Sequence, residues 1–249
     1  MKFVGIIPSR YASTRFPGKP LADMAGKPMI QRVYEQAKLA LDDVWVATDN
    51  ELIAKAVVDF GGNVVMTSTM HKSGTDRCSE AYTNIGKQFD VVINIQGDEP
   101  FIQPRQIEEL KNCFLKQDTQ LATLVKAFKK DEGFDVLFNP NLPKVIINRN
   151  NEAIYFSRSI VPYIRDVHHT EWLEKHIFYK HIGMYGYRTD VLAKITKLEQ
   201  SVLEKAESLE QLRWIENGYK IKVGFTDVET IGIDTPKDME KALRLLQLR

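Results

Sequence analysis

The 249-residue chain has two cysteines, Cys78 and Cys113, too few and too far apart for a disulfide-stapled scaffold or a cysteine-rich zinc module. Both fall in helix-like segments, so buried, reduced thiols are expected. A surplus of either charge is also missing: 34 Lys and Arg against 33 Asp and Glu leave a formal net charge of +1. No global field favours nucleic acid or a membrane surface, and any phosphate chemistry has to come from local clusters. Long hydrophobic runs are absent too. No stretch approaches the ~20 apolar residues of a membrane span, and the first apolar run, Phe3–Ile7, is too short for a secretory leader. There is no low-complexity tract, linker or internal repeat. These absences lead to the expectation of a cytoplasmic globular protein, and the 43% hydrophobic and 27% charged composition is ordinary for one.

The first 130 residues alternate strand and helix patterns. Apolar runs at 3–7, 44–48, 63–67, 91–95 and 121–128 are mostly continuous rather than alternating, as in strands buried on both faces. Between them, Ile30, Val33, Tyr34, Ala37 and Leu41 recur at helical spacing. A second helix is expected from Glu51 to about Phe60, capped by Asp49-Asn50 and stopped by Gly61-Gly62. A third begins near Thr75 and a fourth follows Pro104. Repeated strand–helix units predict an α/β fold with a doubly wound, mainly parallel sheet, and such sheets bind ligands beyond the C-terminal ends of their strands. The pattern changes after Asn139, where Lys144–Arg149 and Ala153–Phe156 flank Asn150-Asn151 as a β-hairpin, and another strand is expected over 181–187. The reading is one domain, 1–249, with a β-rich excursion at 139–187. A capping box at Ser201–Glu204 opens a helix running to about Gly218, Ile221–Phe225 forms a strand, and Thr235-Pro236 opens the last helix.

Two loops on the predicted rim carry the chemistry. Residues 8–20, Pro-Ser-Arg-Tyr-Ala-Ser-Thr-Arg-Phe-Pro-Gly-Lys-Pro, place Arg10, Arg15 and Lys19 directly after the first strand. Cations bunched there suit a polyphosphate, which needs neutralising from several directions at once. After Pro8, the residues Pro17, Gly18 and Pro20 stiffen the turn, and the small residues Ser9, Ala12, Ser13 and Gly18 let backbone N–H groups approach phosphate oxygens. Taken alone, the loop reads rather as a solvated basic turn. The second loop, Gln96-Gly-Asp-Glu-Pro100, presents Asp98 beyond the strand 91–95, and Asp234 lies just before the last helix. Each aspartate could be a turn or cap residue; together they can offer hard oxygen ligands to one Mg²⁺.

These segments resemble the signature blocks of the 3-deoxy-manno-octulosonate (Kdo) cytidylyltransferases, a branch of the sugar-activating nucleotidyltransferases. The likeness continues through Ser73-Gly-Thr-Asp-Arg77, Asn94–Pro100, Tyr155-Phe-Ser-Arg158, His181–Tyr187, Leu209-Glu-Gln-Leu212 and Gly232-Ile-Asp-Thr-Pro236, in the family's order and across essentially the whole chain. The resemblance implies a nucleotide-diphospho-sugar transferase (GT-A-like) fold. It also implies attack by the anomeric hydroxyl of Kdo on the α-phosphorus of CTP, with pyrophosphate leaving. Asp98 and Asp234 become ligands of the catalytic Mg²⁺, Lys19 faces the transferred phosphoryl group, and Arg10 and Arg15 grip the departing phosphates. Ser73, Gly74 and Arg77 line the nucleotide pocket, while Gln96, Pro100, Arg158, His181, Tyr185, Glu210 and Gln211 contact the sugar. A homodimer formed partly through 139–187 is implied as well, while the balanced charge and the lack of a membrane span lead to the expectation of no nucleic-acid or membrane partner.

Alternatives stay open on residues alone. Glu210-Gln211 on a helix also reads as solvated surface, Tyr185 or Tyr187 as core packing, and Ser73 or Thr75 as a helix cap. A related acid sugar such as 8-amino-Kdo would keep the mechanism. A non-catalytic nucleotide-binding relative would be expected to lose Lys19 or the aspartates, and all three are present.

Overall fold

Apolar runs bounded by turn residues become strands, and the 3.6-residue patterns between them become the covering helices. In this computed structural model, residues 1–12, 15–229 and 232–247 are described, Gln247 by its backbone alone. Along the chain come β1 (Phe3–Ser9), α1 (Met29–Lys38), β2 (Asp43–Thr48), α2 (Glu51–Asp59), β3 (Asn63–Met66), α3 (Gly74–Ile85) and β4 (Val91–Asn94). Next are α4 (Pro104–Asn112), β5 (Leu121–Ala127), α5 (Phe134–Phe138), β6 (Lys144–Ile147), β7 (Ala153–Ser157), α6 (Trp172–Lys175) and β8 (Tyr179–Arg188). Last come α7 (Thr189–Ile195), α8 (Val202–Glu207), α9 (Gln211–Glu216), β9 (Ile221–Phe225) and α10 (Pro236–Gln247). The sheet is mainly parallel with flanking helices, as the run of strand–helix units predicts.

The chain divides into two compact units, one of residues 1–108, 186–196 and 229–249, the other of residues 109–185 and 197–228. The sequence reading treats the chain as a single domain whose excursion starts at 139; the second unit starts at 109 instead. The reason lies in β5, which pairs in parallel with β9, Leu121 opposite Ile221 and Val125 opposite Phe225. A partner a hundred residues downstream draws β5 into the later unit.

In the first unit the strand order is β3-β2-β1-β4, all parallel. Val4, Ile6, Val46 and Ile93 are fully buried, so burial on both sheet faces explains the unbroken apolar runs. β3, at the edge, is only half-covered. Met29, Ile30, Val33, Tyr34 and Ala37 form the buried face of α1. Asn50 Oδ1 caps α2 by accepting from the backbone N–H groups of Leu52 and Ile53. Ser73 Oγ accepts from Asp76 N at 3.1 Å, so Ser73, not Thr75, caps α3. A small apolar cluster of Met24, Met29, Phe101, Ile233 and Met239, with Phe16 against it, ties the loop after β1 and the loop after β4 to α10.

In the second unit the order is β8-β5-β9, with β6 antiparallel to β7 and to β8. The expected hairpin is present, its strands β6 and β7 joined through Asn148–Glu152. The expected helix from Ser201 to Gly218 is instead two helices, α8 and α9, broken at Ser208, whose φ of 51° is left-handed. The capping box itself forms, Ser201 Oγ accepting from Glu204 N and Glu204 Oε2 from Ser201 N. Both cysteines are free, Cys78 buried in α3 and Cys113 partly exposed beyond α4. Among the described residues, no helix is long and apolar enough to cross a membrane.

Candidate functional site

At the C-terminal ends of β1 and β4, the first unit opens a cleft of about 260 Å³. Pro8, Ser9, Arg10, Arg15, Lys19, Ser73, Gly74, Arg77, Gln96, Asp98 and Asp234 all line it. Residues up to 226 positions apart in sequence therefore share one wall-to-wall site (8 to 234). Of the residues named from sequence in this unit, Pro100 alone is not in the lining; it is buried behind the loop.

Glycine is required where the backbones crowd. A Cβ on Gly97 would lie 2.9 Å from Ser9 Oγ and 3.1 Å from Pro8 O, so the loops after β1 and β4 touch only because that position has no side chain. Gly18, with φ of 67°, turns the cationic loop into the short 3₁₀ turn that carries Lys19, and its N–H donates to Tyr11 O.

Lys19 is the centre of the charge arrangement. Its side chain is only 14% exposed, and Nζ donates to Asp98 Oδ2 at 2.7 Å and to the carbonyl of Ile233 at 2.8 Å. Asp234 Oδ1 lies 3.5 Å from the same ammonium and 3.2 Å from Arg15 Nη2. Asp98 and Asp234 thus turn hard oxygens toward one cation, although no group of three or more His, Cys, Asp or Glu is arranged for a metal among the described residues. Two carboxylates facing a cleft lined by cations fit Mg²⁺, which takes few protein ligands and completes its shell with water and substrate oxygens.

The aim of Asp234 depends on a residue the sequence reading missed. Asp238 Oδ2 accepts from Thr235 Oγ1 at 2.8 Å and from the backbone N–H groups of Thr235 and Asp234. The Thr235 hydroxyl bond leads in holding its carboxyl below the usual range. Thr235-Pro-Lys-Asp238 has the spacing of a capping box, and that signal could have found it. His71 and Lys72, which also line the cleft, were missed as well; their only signal is that they precede Ser73-Gly74. His71 pairs with Glu80.

Other side chains are already engaged. Arg77 is buried, its Nη2 2.7 Å from Asp49 Oδ2 and its Nη1 donating to Thr67 Oγ1 at 2.6 Å. Beneath the cleft, the Tyr187 hydroxyl joins Thr75 Oγ1 and Asn94 Nδ2, each at 3.2 Å. Glu99, next to Asp98, is enclosed, and burial, with the Asp98 charge second, pushes its carboxyl up to about 8.

The remaining residues named from sequence lie in the second unit. His181 Nε2 meets Thr123 Oγ1 at 2.9 Å, and its ring packs 5.2 Å from both Phe156 and Tyr185. The residue keeps some surface, but its imidazole is enclosed, and burial lowers its pKa to about 3. Tyr185 packs edge-on against Trp214. Gln211 is 4% exposed, and its Nε2 has no hydrogen-bond partner among the described residues. Glu210 is half-buried, 3.8 Å from Arg213 Nη2. Arg158, expected to face a sugar acid, donates instead to three backbone carbonyls: Glu207 O at 2.6 Å, Pro140 O at 2.9 Å and Ser208 O at 3.2 Å.

Comparison with known proteins agrees with this picture. The cytidylyltransferase family model matches residues 4–221. The 3-deoxy-manno-octulosonate cytidylyltransferase of Parabacteroides distasonis is 69% identical over 250 residues, covering 100% of both chains. Its namesake from Bacteroides thetaiotaomicron is 65% identical over 249 residues, again covering 100% of each. A solved structure of CMP:2-keto-3-deoxy-manno-octonic acid synthetase complexed with CTP matches with a TM-score of 0.90 at 42% identity, covering 100% of this chain and 99% of that one.

Proposed function

The chain belongs to the cytidylyltransferase family, and on that premise we propose that it transfers CMP from CTP to the anomeric hydroxyl of Kdo, releasing pyrophosphate. The observation that carries the reading is the convergence of Lys19, Asp98 and Asp234 at the end of a phosphate-sized cationic loop. Attack on the α-phosphorus brings an electron-rich oxygen toward a polyanion, so fixed positive charge at the reacting phosphate lowers the barrier. Lys19 supplies it from a half-enclosed position where water screens little. Arg10 and Arg15, both exposed at the mouth, take the β- and γ-phosphates and carry them through departure. Ser73 and Gly74 bring the N-terminus of α3, with its positive dipole end, to the nucleotide. Arg77 acts from behind, holding the loops that carry Asp49 and Thr67 against α3.

Asp98 and Asp234 would hold Mg²⁺, which supplies Lewis-acid polarisation of the phosphate and a lowered pKa for the attacking hydroxyl. When nucleotide binds, Arg15 and Lys19 exchange their carboxylate partners for phosphate oxygens. Kdo recognition is assigned to His181, Tyr185, Glu210 and Gln211 on the family likeness, the buried Gln211 Nε2, without a hydrogen-bond partner among the described residues, being suited to a sugar hydroxyl. The same likeness assigns a homodimer and a cytoplasmic location.

The test is pyrophosphate release with Mg²⁺ and each of four nucleoside triphosphates, crossed with Kdo, 8-amino-Kdo and sialic acid. Release with CTP and Kdo alone is expected. Preference for the 8-amino sugar would move the substrate, and silence across the panel from folded protein would overturn the reading.

A further inference from the structure

The break between α8 and α9 has a cause outside both helices. A helix end leaves its last carbonyls without partners and carries partial negative charge. At the end of α8 those of Glu207 and Ser208 accept from the Arg158 guanidinium, at 2.6 Å and 3.2 Å, while Ser208 turns left-handed. The third arm of the fork reaches Pro140 O at 2.9 Å. Glu207 returns the contact: Oε1 accepts from Ser157 Oγ at 2.8 Å and Oε2 from Arg158 N at 2.9 Å. One cation and one carboxylate therefore join the end of β7, the turn at Pro140 and the helix break.

Directly after that break comes Leu209–Leu212. A second buried pair, Arg213 with Glu204 at 2.6 Å and 2.8 Å, pins α9 to α8 beyond it. Held at both sides, Glu210 and the buried Gln211, whose Nε2 has no hydrogen-bond partner among the described residues, have little freedom to move. We infer that Arg158 and Glu207 form a positioning pair that presets the Leu209–Leu212 turn for sugar recognition, and that Arg158 is not the cation for the sugar's carboxylate. Its Nε, Nη1 and Nη2 each donate to a backbone carbonyl, and a lysine could not replace that three-way fork. The inference rests on the reading of the chain as a sugar-acid cytidylyltransferase.

The experiment combines steady-state kinetics with hydrogen exchange on Arg158→Ala, Arg158→Lys, Glu207→Ala and the double alanine variant. Glu207→Ala is the decisive one, because a carboxylate cannot pair with the carboxylate of the sugar, and both Glu207 oxygens are already taken by Ser157 and Arg158. Both single alanine variants are expected to raise the KM for the sugar about tenfold, a typical cost of one lost charge-assisted contact, with the KM for CTP within about twofold. The double variant should be no worse than Arg158→Ala, since the two residues act as a unit. Without sugar, exchange at the amides of Leu209, Leu212 and Arg213, hydrogen-bonded to Glu204, Leu209 and Glu210 in the intact protein, should quicken in both. Arg158→Lys should behave like Arg158→Ala, and it stands in if the alanine variant does not fold. A Glu207→Ala enzyme with the wild-type sugar KM beside an impaired Arg158→Ala, or unchanged exchange in both, would overturn the inference. If wild type itself turns over no sugar acid, the functional reading fails, and the exchange measurement still decides the positioning role.

Discussion

The two units use charge in opposite ways. In the first, Lys19 and Arg15 pair with carboxylates across an open cleft, and the Asp234 side of the arrangement is half-exposed, so each partner can be traded for a ligand. In the second, Arg158 donates to three backbone carbonyls and Arg213 to Glu204 and the carbonyl of Leu198, all partners that belong to the chain itself. The contrast teaches that a basic residue in a signature block has two careers. It binds ligand where its partners are exchangeable, and it holds the chain where they are not.

The largest effect should come from the exchangeable side. Lys19→Met is expected to lower kcat by ~10²–10³, the range for removing one donor aimed at developing charge, while leaving thermal stability close to wild type. A loss under tenfold, or a collapse in stability, would erase the contrast. Glu204→Ala should do the reverse. Leaving Arg213 buried without its carboxylate is expected to cost about 3–5 kcal/mol of stability, read as a lower urea midpoint, with CTP affinity unchanged in whatever folded protein remains. A midpoint within error of wild type would place Arg213 among the exchangeable cations.

The smallest effect concerns His181. Its folded pKa, about 3, lies below the ordinary 6.5, so the unfolded chain binds the proton first as pH falls. Stability from this group is complete above 6.5 and is lost as pH drops toward 3, at no more than about 1.4 kcal/mol per pH unit. Urea unfolding at pH 7.5 and pH 4.5 should therefore show a steeper acid loss in wild type than in His181→Gln. Equal losses would mean that the imidazole stays hydrated and belongs with the exchangeable groups.

Much of the first unit was legible because its signals are local. β1, β2 and β4 appear as unbroken apolar runs, Ser73 caps where a serine before a helix should, and the aspartate loop follows the strand that presents it. The second unit was less legible because its decisive contacts are long-range. β5 reads as the fifth strand of a simple series until β9 pairs with it. The segment from Ser201 to Gly218 has a helix's cap and periodicity, and only Arg158, some fifty positions earlier, captures the carbonyls that let Ser208 break it (208 − 158). Arg77 lines the cleft, yet its guanidinium is held by Asp49 and Thr67, partners that only the fold brings to it.

The sequence alone determined the alternation of strands and helices, the cationic loop beside the first strand and the pair of aspartates, since hydrophobic period, caps and turn residues act over a few neighbours. Tertiary structure alone decided which cations are exchangeable and which are structural. That distinction depends on the oxygen atoms that folding brings within about 3 Å of each guanidinium or ammonium, and those oxygens come from distant parts of the chain.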